Sequence, residues 1–298
     1  MVFMASHVDQ SMLRDGDVII SSGIKAGTTF TRAIVHQIIT KGSDDFDDLT
    51  DEIPFIQFHH HPYETDAQLV KHFERLVWSH MPIRAIATHE VASLQPLDPK
   101  IRYVVTFRSP HEVHDSYLAF YNLMSDDIRE LWSGCILPRV SEEQFEHMWT
   151  SYLSQFLVAN HINGWWPHRG NKNVLFLHYS DMTKDLSTTA LKIAKHIGVT
   201  LNSDELNQVV NHTSFSHMKA NSHRYDGWPS GWPRTFIEQG WIRPGFRTYE
   251  KESALTRHGK SGEYVDDERT KKYDAQLRMQ ISDEAALRWL LKGGDLPK

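Results

Sequence analysis

The 298-residue chain holds a single cysteine, Cys135, which excludes an intramolecular disulfide and any cysteine-rich metal centre. It has no run of 18 apolar residues, so nothing in it reads as a membrane-spanning helix. Met1 to Leu13 lack the continuous apolar stretch of a signal peptide, and with the cysteine count this predicts a soluble, cytoplasmic protein. An excess of positive charge is also missing. The formal charge of −6 and pI near 6.3 argue against a broad nucleic-acid-binding surface, though not against a local basic pocket. No internal repeat, low-complexity tract or interdomain linker is evident.

What remains is ordinary globular composition, 40% hydrophobic and 23% charged, with enough length for a sizeable core. Histidine is the exception: adding 19 charges to −6 gives +13, so acid must repattern this surface.

The most informative stretch runs from Asp17 to Ile39. Val18 to Ile20 are a β-rich run, Gly23 to Gly27 a turn, and Ala33, Ile34, Gln37 and Ile38 fall at helical spacing, which predicts strand, tight loop and helix. A helix N-terminus leaves backbone N–H groups unpaired and carries partial positive charge, so it suits an anion. Gly23 and Gly27 allow close backbone approach, Lys25 supplies a mobile charge, and Thr28 and Thr29 supply hydroxyl donors. This is not a Walker A loop. That motif has four residues between its glycines and a lysine directly after the second, whereas here three residues separate them and Lys25 precedes Gly27. From this stretch alone, a plain turn with a solvated lysine stays open.

Further along, 43–52 is acidic and predicts a solvated loop. The adjacent His59, His60 and His61 would alternate faces in an extended segment and cannot readily share one metal, so none is expected there. Residues 66–80 predict a helix. Arg84 to Glu90 reads as a short strand, placing His89 at a carboxyl edge where α/β proteins bind ligands. Ile101 to Phe107 is the clearest buried strand and ends in Arg108. Ser109, Pro110 and Glu112 then predict a capping box opening a helix with Val113, Tyr117, Phe120, Tyr121 and Met124 on its apolar face, and Ser116 nearly two turns in. Ser141 to Asn160 is helical, its stripe of Phe145, Met148, Trp149, Tyr152, Phe156 and Leu157 expected in the core. Asn173 to Tyr179 is a strand, and 186–197 a helix with Ala190, Leu191, Ile193, Ala194 and Ile197 inward and Gly198 as its terminator. The alternation predicts an α/β protein: one domain, 1–298, with a central parallel sheet flanked by helices. Residues 221–250, with Trp228, Trp232 and Trp241, lack periodicity and predict an ordered loop or lid.

Taken together, these segments resemble the cytosolic-type sulfotransferases, which use 3′-phosphoadenosine 5′-phosphosulfate (PAPS) as sulfuryl donor. Gly23-Ile-Lys-Ala-Gly-Thr-Thr-Phe30 is similar to that family's donor loop, implying a P-loop-like phosphosulfate site made by Lys25, Ala26, Gly27, Thr28, Thr29 and Phe30. Arg108 and Ser116 resemble its clamp on the donor's 3′-phosphate, and Thr88-His89 its catalytic pair. Tyr179-Ser-Asp-Met182 resembles a segment whose tyrosine contacts the nucleotide. Thr213-Ser-Phe215 resembles its adenine-pocket stretch, and Arg257-His-Gly259 a return to the 3′-phosphate through Arg257, His258 and Gly259. Phe30 stands in place of the usual tryptophan, Ala87 in place of a lysine, and His258 in place of another. The resemblance implies transfer from PAPS to a hydroxyl, or an amine, of a small hydrophobic acceptor, with Lys25 on the leaving charge, His89 as general base and no metal required. A nucleotide-dependent kinase and a catalytically silent nucleotide-binding module stay as alternatives. The family's C-terminal dimer segment is not found, so the oligomeric state is left open.

Overall fold

The computed structural model describes residues 13–55, 81–126, 129, 139–225 and 268–297. The three adjacent histidines, the helix predicted at 66–80, Cys135, positions 226–250 of the proposed lid, and Arg257, His258 and Gly259 lie outside the described residues.

Four apolar runs form the sheet: β1 (Val18–Ser22), β2 (Ala85–Thr88), β3 (Arg102–Phe107) and β4 (Val174–His178). They pair in parallel in the order β2-β1-β3-β4, as the buried, near-continuous hydrophobic sequences require. Alternate residues face opposite layers. Ile19, Tyr103, Val105 and Phe107 pack with Trp149, Trp165 and Leu287, while Val18, Ile20, Ala87 and Val104 pack with Ile34, Ile38 and Ile193.

Helix α1 (Thr28–Ile39) follows β1, a turn α2 (Leu49–Glu52) precedes β2, and α3 (Pro110–Leu123) follows β3. The acidic stretch is less solvated than expected. Phe46 and Leu49 are buried, and the Arg32 guanidinium, itself buried, donates from Nε to the Ile53 carbonyl at 3.0 Å and from Nη2 to the Leu49 carbonyl at 3.1 Å. Asp48 caps α2 through Thr50 N–H, and burial pushes its carboxyl up to about 7.

The predicted helix from Ser141 is present as α4 (Glu142–Met148), two π turns (Trp149–Leu153 and Gln155–Ala159) and α5 (Asn160–Trp165). Its start is a capping box between Ser141 and Gln144. Buried positions recur every fourth residue, at Phe145, Trp149, Leu153, Leu157, His161 and Trp165. In an α-helix each such step overshoots the turn by about 40°; the wider winding of the π turns absorbs that drift and keeps the row on the core. Tyr152 and Phe156, expected inside on a 3.6-residue period, are therefore 51% and 65% exposed.

Beyond β4 come α6 (Tyr179–Lys184), α7 (Leu186–Ile197), α8 (Ser203–His212), α9 (Phe215–Ala220), α10 (Glu268–Gln280) and α11 (Glu284–Lys292). Helix α7 buries Ala190, Ile193, Ala194 and Ile197 as predicted, but Leu191 is exposed. Gly198 ends it at φ +80°, and a Cβ there would meet nothing within 4 Å. Gly198→Ala should therefore cost only the left-handed backbone term, about 1–2 kcal/mol. Urea unfolding measures this; no loss would mean the helix end rearranges freely.

Candidate functional site

The register of the sheet brings the sequence-nominated residues to one edge. Ser21 pairs with Thr88, Ser22 with Thr106 and Phe107 with His178. The residues immediately after the four strands are therefore Gly23, His89, Arg108 and Tyr179. Because the chain leaves central β1 for β2 on one side and later returns to β3 on the other, this carboxyl edge is the switch point at which α/β sheets characteristically bind ligands.

The loop after β1 is built for close approach. Lys25 and Gly27 both have positive φ, +61° and +105°. For lysine this is an unfavourable conformation, tolerated where the surroundings fix it. A Cβ on Gly27 would lie 2.7 Å from Tyr179 Cδ2, so only glycine fits. Gly27 is also the N-cap of α1, with no side-chain cap and no acidic residue in the first turn. The amides at 28–30 are thus left as anion donors at the positive end of the dipole. The Thr28 hydroxyl shares a 2.6 Å hydrogen bond with that of Ser22, and Thr31 Oγ1 one of 2.9 Å with Thr106. Thr29 and buried Ala26 complete the loop. Lys25 Nζ lies 4.4 Å from the centre of the Phe120 ring on α3.

His89 is held from β1. Its Nδ1–H donates to the Ser22 carbonyl at 2.8 Å, which fixes the tautomer and leaves the lone pair at Nε2. Phe55 packs edge-on against the ring at 4.7 Å, and the next residue is tied down as well, Ser21 Oγ donating to the Glu90 carbonyl at 2.8 Å. Burial, with Lys25 and Arg32 adding to it, pushes His89 down to about 4 against the opposing effect of the Ser22 bond. At neutral pH the imidazole is uncharged and able to accept a proton.

Arg108 is fixed on three sides. Its Nε donates to Glu112 at 2.8 Å, Nη1 donates to the Lys25 carbonyl at 3.3 Å, and the guanidinium lies 4.3 Å from the centre of the Tyr179 ring. The capping box predicted for Ser109 and Glu112 does not form: Ser109 makes no side-chain cap bond, and Glu112 pairs with the guanidinium instead. A charge-assisted bond to a half-buried cation outcompetes one to a backbone amide. Ser116 stands one turn beyond Glu112 on the same face of α3.

The remaining nominees are more dispersed. Phe30 meets the Tyr179 ring edge-on at 6.0 Å and packs beside Phe46, Met218 and Tyr225. Thr213 is fully buried, its hydroxyl donating to the Val209 carbonyl at 2.7 Å, and Phe215 at the start of α9 is 40% exposed. Sequence reading did not single out Ser21, Ser22, Phe55 or Glu112 for the site. His161 was also missed. Its ring is buried behind Gly23 with neither nitrogen hydrogen-bonded. Its only sequence signal is the four-residue spacing of the core row. Among the described residues no group of His, Cys, Asp or Glu could hold a metal, and no helix is long and apolar enough to cross a membrane.

A family model described as a sulfotransferase domain matches residues 15–230. The chain is 26% identical over 220 residues to the amine sulfotransferase of Oryctolagus cuniculus, covering 71% of this chain and 66% of that protein. It is 28% identical over 218 residues to Homo sapiens sulfotransferase 2A1, covering 72% and 70%. It thus spans about two thirds of the length of these relatives. Its fold is similar to that of mouse sulfotransferase SULT7A1 complexed with PAP, with a TM-score of 0.64 at 20% identity over 93% of this chain and 89% of that one. It is also similar to retinol dehydratase in complex with androsterone and inactive cofactor PAP, with a TM-score of 0.62 at 21% identity over 96% and 83%. With more than half of its length matched by the family model, the chain belongs to the sulfotransferase family, the PAPS-using enzymes that its donor loop resembles.

Proposed function

We propose that this protein transfers a sulfuryl group from PAPS to a hydroxyl of a small, hydrophobic acceptor. The observation that carries this is the meeting, at one sheet edge, of an uncapped helix N-terminus with Lys25 beside it and a neutral His89 whose lone pair is at Nε2. An amine acceptor is the second chemistry to test, since a relative is named an amine sulfotransferase. Hydrophobic character is supported by the partly buried aromatic residues Tyr117, Phe120 and Tyr121 on α3, of which Phe120 lies under the Lys25 ammonium.

The residues present fit a phosphosulfate. Lys25 and the loop amides from Gly27 to Phe30 would stabilise charge developing on the leaving phosphate, which PAPS supplies together with the sulfuryl group, whereas the Ala26 amide already donates to the Gly23 carbonyl at 3.1 Å. His89 Nε2 would take the acceptor proton as the new oxygen–sulfur bond forms. In this scheme Arg108, Ser116, Arg257, His258 and Gly259 bind the 3′-phosphate. Arg108 presents its Nη edge rather than its Nε side, which Glu112 occupies. Phe30, Tyr179 and Phe215 line the nucleoside side, and Thr213, fully buried with its hydroxyl on the Val209 carbonyl, supports that wall from behind rather than touching the ligand. The chain works as one cytoplasmic domain with residues 221–250 as an acceptor lid. Its partners are the donor and the acceptor, not a nucleic acid or a membrane.

Incubation with labelled PAPS and a panel of phenols, alcohols and amines tests the proposal; no transfer to any acceptor while PAPS binds would leave a silent binding module. Lys25→Met should lower kcat by about 10²–10³ while weakening the desulfated product far less, and equal losses would remove its role on the leaving group. His89→Asn should abolish most turnover, about 10²–10⁴-fold, with donor affinity kept. Because His89 sits near 4, kcat/KM for the donor should stay level from neutral pH downward and fall only as pH approaches that value. A fall centred near the ordinary histidine pKa, about 6.5, would rule His89 out as the base. Arg108→Ala should weaken PAPS by about one to two orders of magnitude. The analogue without the 3′-phosphate should scarcely change, and a parallel loss for both would place Arg108 elsewhere.

A further inference from the structure

Arg108, Glu112 and Ser116 follow one another at intervals of four residues, with Glu112 and Ser116 one turn apart on α3. A phosphate held between Arg108 and Ser116 must therefore sit beside the Glu112 carboxylate. That carboxylate is half-buried with the guanidinium, both side chains 14% exposed, so solvent screens it only partly. Burial raises Tyr179 and lowers His178, and Glu112 lies close enough to push both upward while Arg108 pulls both downward. A negative charge is thus built into the wall of a site meant for an anion.

The same carboxylate is one of the three supports of Arg108. The other two, the Lys25 carbonyl at 3.3 Å and the Tyr179 ring face at 4.3 Å, belong to the donor loop and to the residue after β4. Both press on one neighbourhood, since Tyr179 is the ring that a Cβ on Gly27 would strike. Removing the carboxylate would free Nε. Replacing it by an amide would keep an acceptor for Nε–H and delete the charge.

We propose that Glu112 is a positioning residue that also sets how readily the spent nucleotide leaves: it holds the Arg108 guanidinium in place, and its charge opposes tight retention of a 3′-phosphate between Arg108 and Ser116. This rests on the clamp assigned to those two residues under the proposed function. The opposition acts on any nucleotide with a 3′-phosphate, and it is strongest where phosphate and carboxylate are both ionised. Positioning and repulsion predict opposite signs for different substitutions, which separates the proposal from a merely structural role.

The experiment measures dissociation constants for 3′-phosphoadenosine 5′-phosphate and for adenosine 5′-phosphate by calorimetry. Glu112→Gln should bind the first about three- to tenfold more tightly than wild type and the second unchanged, with product inhibition strengthened in parallel. Glu112→Asp keeps the charge but falls one methylene short of Nε, and should bind the first nucleotide more weakly. Unchanged or weaker binding of the first nucleotide by Glu112→Gln would overturn the proposal, as would equal tightening for both. Arg108→Ala in the same assay tests the clamp itself. Loss confined to the 3′-phosphorylated nucleotide upholds the clamp, so that a failed Glu112→Gln result then counts against Glu112 alone. Equal loss for both nucleotides removes the clamp and the proposal with it.

Discussion

The carboxyl end of β1 is the constraint on which the rest of the site depends. Ser21 and Ser22 are fully buried, yet every polar group they carry there is directed toward a neighbouring element. Ser22 offers its carbonyl to His89 and its hydroxyl to Thr28, and Ser21 offers its hydroxyl to the Glu90 carbonyl while accepting from Trp165 Nε1 at 3.1 Å. The donor loop and the candidate base are thus positioned by two adjacent residues of one strand. An error in the pairing of β1 with β2 would disrupt both together. Buried polar networks are costly when incomplete, so this one also specifies the register.

Electrostatically the site differs from the chain around it. The whole protein carries a formal charge of −6, but the sheet edge gathers Lys25, Arg108 and the N-terminus of α1, with Arg32 buried behind it. Burial is the main reason His89 stays neutral, with Lys25 and Arg32 adding to it, and the positive field at this edge favours a phosphate. A bound anion would offset part of it. Under the proposed function, the arriving donor would therefore raise the basicity of His89 as the acceptor proton is to be taken.

Much of this was legible in the sequence, for identifiable reasons. Parallel strands buried on both faces read as apolar runs, so all four were placed, and for three of them a polar residue nominated at the end of the run, His89, Arg108 or Tyr179, was the one that reached the edge. Gly27 was legible because two independent demands, a positive φ and contact with Tyr179, leave no other residue. Glu112 was misread because one carboxylate can satisfy either a cap or an arginine, and only the fold shows that Arg108 is near enough to win. Tyr152 and Phe156 were misread because π turns change the period without changing composition. Ser21 could not be found at all, since its partner, Glu90, lies 69 residues away.

The central claim is that β1 delivers His89 as a neutral imidazole with its lone pair at Nε2. The most direct test is a ¹⁵N NMR titration of histidine-labelled protein, with the His89 signals assigned by their loss in a substituted chain. The account predicts a proton on Nδ1 and none on Nε2 from about pH 8 down to about pH 5, well below the ordinary histidine midpoint. Protonation of both nitrogens with a midpoint near the ordinary value, or the opposite tautomer at neutral pH, would contradict it.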